Sequence, residues 1–520
     1  LEPGSMIEYN GADQMISTQT INTPASAHYE GLTLSGAGNK TAPAGNLIIN
    51  GNLIKTGTPV FMHNNGTVIM NGTLPQSYIS SYPGMVFDNF TNNNTVDLSV
   101  NSELSLVSQL SFANNSKLNL QTGSNIILLS TLNKTANIGI IPLTATVNYI
   151  GTGKFTINRF IPTGTGPAPN HGKSWQFLAV PTNGGQTVNQ AWQDSATAAN
   201  QNRYPGFGTQ LTSNISPLPP LFDVFTSPGP SIKVFDTATD NWKEILNTTS
   251  VAAYNQKGYM VFVRGDRSVI TSAAIAVPTI LRTSGRIFHP VSNIPPVTNI
   301  GNTKFESIGN PYASAIDFSN DAAVLKSANV QRVYYVWDPK LGGGYGFGAF
   351  QTFTKGAGAD NNYYVSPGGG SYGTSGSVNN IIQSGQAFFV HTFGGTGTVS
   401  FTENAKVNNS SLTFRPAVQA SLPIPQLRNN LYVVSNGNPV LIDGVLNQFD
   451  RSFSNSIDRD DAIKIGNTGE SLSLVNGITD LSVERRKIIT ATDTLNYKLT
   501  GLRLQQYEFE FIPFNIKSAG

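Results

Sequence analysis

The chain has 520 residues, only 12% of them charged, with a formal net charge of +2 and no cysteine. That balance provides no strong field to collect nucleic acid or an anionic membrane surface, and the missing thiols exclude disulfides and thiolate–metal sites. Hydrophobic residues at 39% are too many for disorder, and 51 glycines suit turns and extended strands better than helices. The nearest approach to a membrane span, 126–147, is interrupted by Asn133, Lys134, Asn137 and Pro142, so no membrane insertion is expected.

From Ser5 onward, short alternating apolar and polar runs close on Asn-Gly or Gly-Asn, as in G-L-T-L-S-G-A-G-N-K-T and L-I-I-N-G-N-L. Turn signals at that spacing leave no room for helices. Runs this brief bury little alone and must stack on one another, so residues 1–150 are predicted to form a helix-free β-solenoid-like repeat region. Val96, Leu98, Leu104, Leu106, Leu118, Leu120, Ile126 and Leu128 are expected to point inward, with Asn-rich corners at 92–94 and 114–115 bonding rung to rung. A sandwich of the same hairpins is the alternative.

Residues 151–414 have longer strands and more aromatics, and read as a β-sandwich region of two related halves, about 151–290 and 300–414. Each half runs through a strand ending in proline, a strand ending in an aspartate turn, and a glycine followed by an apolar strand. In the first half these are W-Q-F-L-A-V-P, V-F-D-T-A-T-D and K-G-Y-M-V-F-V-R; in the second they are F-E-S-I-G-N-P-Y, Y-Y-V-W-D-P and S-G-Q-A-F-F-V-H. Tyr259–Val263 and Ala387–His391 are expected to be equivalent strands, and 188–199 and 319–328 to be helical. Residues 415–520 follow a proline-containing linker at 420–426 and carry about seven short strands, the pattern of an immunoglobulin-like β-sandwich. The fold class is therefore all-β.

Candidate chemistry is sparse. Asp458, Asp460 and Asp461 share one turn and are a candidate structural calcium site, since a hard cation takes oxygen ligands; no other cofactor is expected. Trp337, Tyr345 and Phe347, around a glycine-rich loop, are a candidate glycan platform. Arg264-Gly265-Asp266 follows an apolar strand and is expected to be held by the scaffold. The segment from Gly166 to Ser174 has five residues between its glycines where a phosphate loop needs four. The five histidines share no ligand spacing. No catalytic residue is assigned, and no catalysis is expected.

The opening E-Y-N-G-A-D-Q-M-I-S, the ordered series I-N-R-F-I-P, S-W-Q-F-L-A-V-P, K-G-Y-M-V-F-V-R-G-D-R, I-G-N-P-Y-A-S-A-I-D-F, Y-Y-V-W-D-P and I-Q-S-G-Q-A-F-F-V, and the terminal S-I-D-R-D-D-A-I-K-I-G-N resemble large Bacteroidota cell-surface adhesin-like proteins exported by the type IX secretion system. The resemblance implies modules upstream of a carboxyl-terminal sorting domain, and a secreted chain on the outer face of a Gram-negative outer membrane. No sorting domain follows Gly520 and the chain starts inside a repeat, so a longer parent, partnered by the export and anchoring machinery, is expected. The function implied is a structural and adhesive section whose partners are surface glycans or other cell-surface components. A carbohydrate-binding module array is the alternative. A polysaccharide-cleaving solenoid enzyme is a third reading. It would need clustered charges, whereas Glu8, Asp13, Glu30, Asp88, Asp97 and Glu103 are scattered in sequence.

Overall fold

The computed structural model describes residues 4–17, 28–165, 170–215, 218, 221–225, 229–341, 348–366, 377–408, 410, 418–419, 424–467 and 469–516. The chain is nearly all β, 46% strand against 2% helix, and its amino-terminal region is a β-solenoid of about five turns. Ile7–Tyr9, Leu32–Leu34, Leu53–Lys55, Gln76–Ser80, Leu98–Val100, Lys117–Leu120 and Thr146–Tyr149 stack in parallel as one sheet. Asn46–Ile49, Thr67–Met70, Met85–Asn92, Glu103–Phe112, Asn125–Leu128 and Lys154–Ile161 stack as the parallel core of a second.

Parallel in-register stacking puts like on like, and side chains alternate between the two faces of each strand. Leu98 pairs with Leu118 and Leu118 with Val147 on one side, Leu104 with Ile126 and Ile126 with Phe155 on the other. Leu98, Leu104, Leu106, Leu118, Leu120, Ile126 and Leu128 are fully buried, as the alternation predicts. Val96 is the exception at 41% exposed. Its N–H is taken by Asn94 Oδ1 at 2.8 Å, so it belongs to an asparagine-capped turn before the strand, outside the two-residue period. Side-chain ladders run through the corner at Asn93 and through the strand face at Asn119 and Asn148, while at 114–115 Asn115 N–H donates to Thr144 Oγ1 (2.9 Å). Asn93 donates to Asn71 (3.3 Å) and Asn71 to Asn50 (3.5 Å), while Asn148 donates to Asn119 (2.7 Å) and Asn119 to Asp97 (2.5 Å).

A solenoid end is an open sheet edge that must be covered. Here Lys154–Ile161 is the last rung, and Thr279–Ile287 caps it antiparallel from Phe155↔Gly285 to Ile161↔Thr279. The capping strand belongs to the first central half, so solenoid and sandwich share one sheet of nine strands.

The two central halves have sheets of the same order. In the first, the proline strand Ser174–Leu178 lies beside Tyr259–Val263, then Ile232–Asp236, then Asn241–Glu244. In the second, Phe305–Gly309 lies beside Ala387–His391, then Val333–Asp338, then Ala349–Lys355. Tyr259–Val263 and Ala387–His391 thus occupy equivalent places. Ser174–Leu178 and Tyr259–Val263 in the first sheet, and Val333–Asp338 and Ala387–His391 in the second, are largely buried on both faces. Val261 and Val263 pack with Leu178 in one core and Phe388 and Val390 with Tyr334 in another. Between the sheets lie Phe177, Met260, Tyr335 and Phe389, with Phe177 stacked on Phe389 at 5.0 Å. The crossing is reciprocal. Ala179 N–H donates to Gly385 O (3.0 Å) and Gly309 N–H donates to Gln256 O (2.8 Å). A Cβ on Gly309 would stand 2.8 Å from Ala179 Cβ, so the close approach requires glycine.

Both expected helices are corrected. The first is only Val188–Trp192, because Asp194 and Ser195 take φ of 49° and 57°, a left-handed backbone that ends a helix. In 319–328 the Asp317 carboxylate accepts from Ser319 N–H (2.9 Å), and Val324–Lys326 pairs with Val399–Phe401 as a strand.

Beyond Val418–Gln419, which joins the second central sheet, the carboxyl-terminal region has the seven strands expected. Hydrogen bonding joins them in one continuous sheet, with Asn438–Phe449 parallel to Thr479–Arg486. Its own core is Leu431, Val445, Leu472 and Leu481. Leu446, Ala462 and Val483 extend the core between the central sheets.

Candidate functional site

Trp337 is 4% exposed and sits edge-on to Phe350 at 4.8 Å. That corrects its assignment to a glycan platform, for a strand buried on both faces has no outward position for its ring. Tyr345 and Phe347 lie outside the described residues. The Asp458 and Asp461 carboxylates are spent locally, and Asp460 faces Arg332 at 3.6 Å. Asp461 Oδ1 accepts from Arg485 N–H and Oδ2 from Asp458 N–H, both at 2.8 Å, and Asp458 Oδ1 accepts from Asp460 N–H at 2.8 Å. Asp461 is 1% exposed, and burial pushes its carboxyl up to about 7. Among the described residues, no group of three or more His, Cys, Asp or Glu is arranged to hold a metal.

Arg264 and Asp266 are both buried. The Arg264 guanidinium stacks on Phe225 (4.3 Å) and Phe262 (4.9 Å), and Asp266 accepts from Gly206 N–H (2.7 Å) and Ser268 N–H (2.9 Å). They serve the scaffold separately instead of pairing across the turn. The near-phosphate segment lies partly outside the described residues, at 166–169.

Where solenoid meets first central half, the structure brings together residues that sequence reasoning left apart. A groove of about 1070 Å³ runs over the outward face of their shared sheet. The alternation that buries Leu104, Ile126, Phe155 and Ile157 turns Glu103, Asn125, Lys154, Thr156 and Asn158 to the other face, where they line the groove. The capping strand adds Arg282, Ser284 and Arg286. The hydroxyls of Thr156 and Ser284 lie 2.8 Å apart, and Thr156 Oγ1 donates to Asn125 Oδ1 (2.9 Å).

The second wall starts at the short helix, whose Thr187–Gln190 capping box fixes its entry. The left-handed turn after Trp192 swings Asp194 under Arg282, and Asp194 Oδ1 accepts from Nε (3.0 Å) and Nη2 (2.5 Å). Gly208 makes room, since a Cβ there would meet Asp194 Oδ2 at 2.6 Å. Burial raises the Asp194 carboxyl above the ordinary range, with Arg282 opposing that shift. Arg282 is held over Phe207 (4.1 Å) and Tyr204 (5.2 Å), and Arg203 lies over Tyr204 at 5.4 Å. Asn158 Oδ1 and Asp194 Oδ2 are buried in the groove lining without a hydrogen-bond partner. The sequence carried one signal for this site. Arg282, Ser284 and Arg286 recur at every second position opposite Leu281 and Ile287, which marks a strand with one wet, cationic face.

These features define an all-β protein in which a β-solenoid is capped by a pair of sandwich halves, with a polar groove at the seam. The chain belongs to the family described as a domain of unknown function, DUF8693, whose model matches residues 209–501. That span holds the capping strand, the second central half and most of the carboxyl-terminal sheet. No curated protein and no solved structure matches the chain.

Proposed function

We propose that this chain is a structural and adhesive section of a secreted cell-surface protein, presenting β-rich surface for attachment and performing no catalysis. The observation that supports it most is the groove on the outward face of the nine-stranded sheet, because its floor is made of strands locked by a buried core and its wall is tied to that floor by Asp194 and Arg282. A site on strands is held more firmly than one on loops. Export through the type IX pathway and a place on the outer membrane rest on the sequence resemblance. No helix among the described residues is long and apolar enough to cross a membrane.

The test is attachment. Beads coated with the intact chain should bind a glycan array or cell surfaces saturably, with no loss of polymer length in any polysaccharide offered. Failure to attach to any surface, or carboxylate-dependent turnover of a polysaccharide, would overturn the reading.

A further inference from the structure

We propose that the groove at the seam binds a carboxylate-bearing polysaccharide, a uronate polymer, with Lys154, Arg203 and Arg286 as the groups that recognise its acids. The inference rests on the adhesive reading and names its ligand class.

The first argument is charge. Four cationic side chains and two carboxylates line the groove, in a chain whose whole formal excess is +2. Arg282 and Asp194 neutralise each other at 2.5 Å. Among the described residues, Lys154, Arg203 and Arg286 have no carboxylate partner within ion-pair distance, and all three are exposed. Arg203 is oriented by its bond to Ser195 O (2.8 Å) and by Tyr204, and Arg286 by Tyr149 at 5.4 Å. A guanidinium held in one plane matches the planar fork of a carboxylate.

The second argument is independent of charge. Asn158 and Asp194 are each 5% exposed, yet Asn158 Oδ1 and Asp194 Oδ2 have no partner. Asp194 Oδ2 faces Gly208, so the acceptor left to the groove is Asn158 Oδ1. A buried acceptor without a donor is costly, and sugar hydroxyls are donors of the right kind. Tyr204, 46% exposed on the wall, supplies an apolar surface for a pyranose. The third argument is size. The floor crosses four adjacent strands, which at about 4.8 Å spacing extend over about 14 Å, the reach of a short oligosaccharide.

Binding of the intact chain to polygalacturonate and alginate oligosaccharides, to neutral dextran and to dextran sulfate can be measured by calorimetry at low and high salt. The uronate oligosaccharides should bind, and the Lys154→Ala, Arg203→Ala, Arg286→Ala triple variant should lose at least ~10-fold in affinity, since each charge-assisted contact is lost. Its Tm should fall only slightly, because all three side chains are exposed and give up no more than the Ser195 bond and two ring contacts. Tyr204→Ala should weaken binding by a smaller factor. Equal affinity for neutral dextran, equal affinity of the triple variant, or dextran sulfate held as tightly by variant as by wild type would overturn the proposal. If the triple variant still coats beads that attach to cells, the groove assignment fails while the adhesive reading stands. If wild-type beads attach to nothing and no oligosaccharide binds, both fall.

Discussion

Leu106 in the solenoid and Arg267 in the first central half are equally hidden, at 0% and 1% exposure, but their surroundings are opposite. Leu106 is stacked between Phe87 and Leu128 of the neighbouring rungs. Arg267 donates to Gln201 O (2.6 Å), Thr209 O (2.9 Å) and both oxygens of Asp223 (2.9 Å each). Asp223 in turn accepts from Asn200 N–H (2.7 Å), Leu211 N–H (2.8 Å) and Gln193 Nε2 (2.9 Å). The difference follows from where backbone groups find partners. A rung is satisfied by the rung beside it, so its side chains are free to be purely apolar. Among the described residues, 193–231 contains no strand, so its buried carbonyls and amides need side-chain partners. A fully buried ion pair clasps irregular chain here, whereas the lysine–carboxylate pair the solenoid carries, Asp88 with Lys134, leaves its lysine 44% exposed.

The contrast can be broken most sharply at its apolar end. Leu106→Asp puts an unpaired charge where no donor exists, and the solenoid should lose its cooperative unfolding transition by circular dichroism. A midpoint that hardly moves would refute the stacked core. Next comes Arg267→Met, which strands the Asp223 carboxylate and should cost about 3–5 kcal/mol in denaturant titration. A double variant Arg267→Met, Asp223→Leu should recover part of that loss, an outcome the solenoid substitution cannot offer.

The pH response sharpens the contrast further. The Asp461 carboxyl is raised to about 7 by burial and by Asp458 and Glu484, against the N–H donors of Arg485 and Asp458. Its folded form therefore keeps a proton that the unfolded chain has released between about pH 4 and pH 7. The associated stability is complete below that window and lost as pH rises through it. Burial lowers His171 and His391 to about 4, which acts in the opposite sense below their ordinary pKa. Subtracting an Asp461→Asn variant isolates the carboxyl. Wild type should gain up to about 2 kcal/mol on the variant from pH 7 to pH 5, and a gap independent of pH would exclude the protonated carboxyl. The smallest effect belongs to the ladders. Asn119→Ala removes two rung-to-rung links and should cost about 1–2 kcal/mol, read as a small shift in Tm.

What was legible in the sequence was whatever repeats locally. Alternation placed seven of eight inward residues, and the order of proline, aspartate and glycine strands gave two sheets of the same layout. Val96 failed because an asparagine turn looks like the start of an alternating strand. The apolar content of 319–328 suggested a helix, but Val324 and Leu325 pair across to Phe401 and Ser400, contacts a local window cannot contain. Trp337 looked available because it borders a glycine-rich loop, but it lies near the end of a strand, Val333–Asp338, that is buried along its whole length. The groove was illegible for the same reason of distance. Its floor joins Lys154 to Arg282 through a strand pairing that no local pattern encodes, and Asp194 reaches it only because the helix stops early.

The capping strand also sets a clock. Thr156 and Ser284, which meet across the seam, are 128 residues apart in the chain. At ribosomal speeds of about 5–20 residues per second, that separation is on the order of ten seconds of synthesis. For that interval the rung Lys154–Ile161 is an unpaired edge, able to recruit a strand from a neighbouring nascent chain. A variant that lengthens the delay, by synonymous slow codons between 162 and 278, should raise aggregation during expression while leaving the purified protein unchanged.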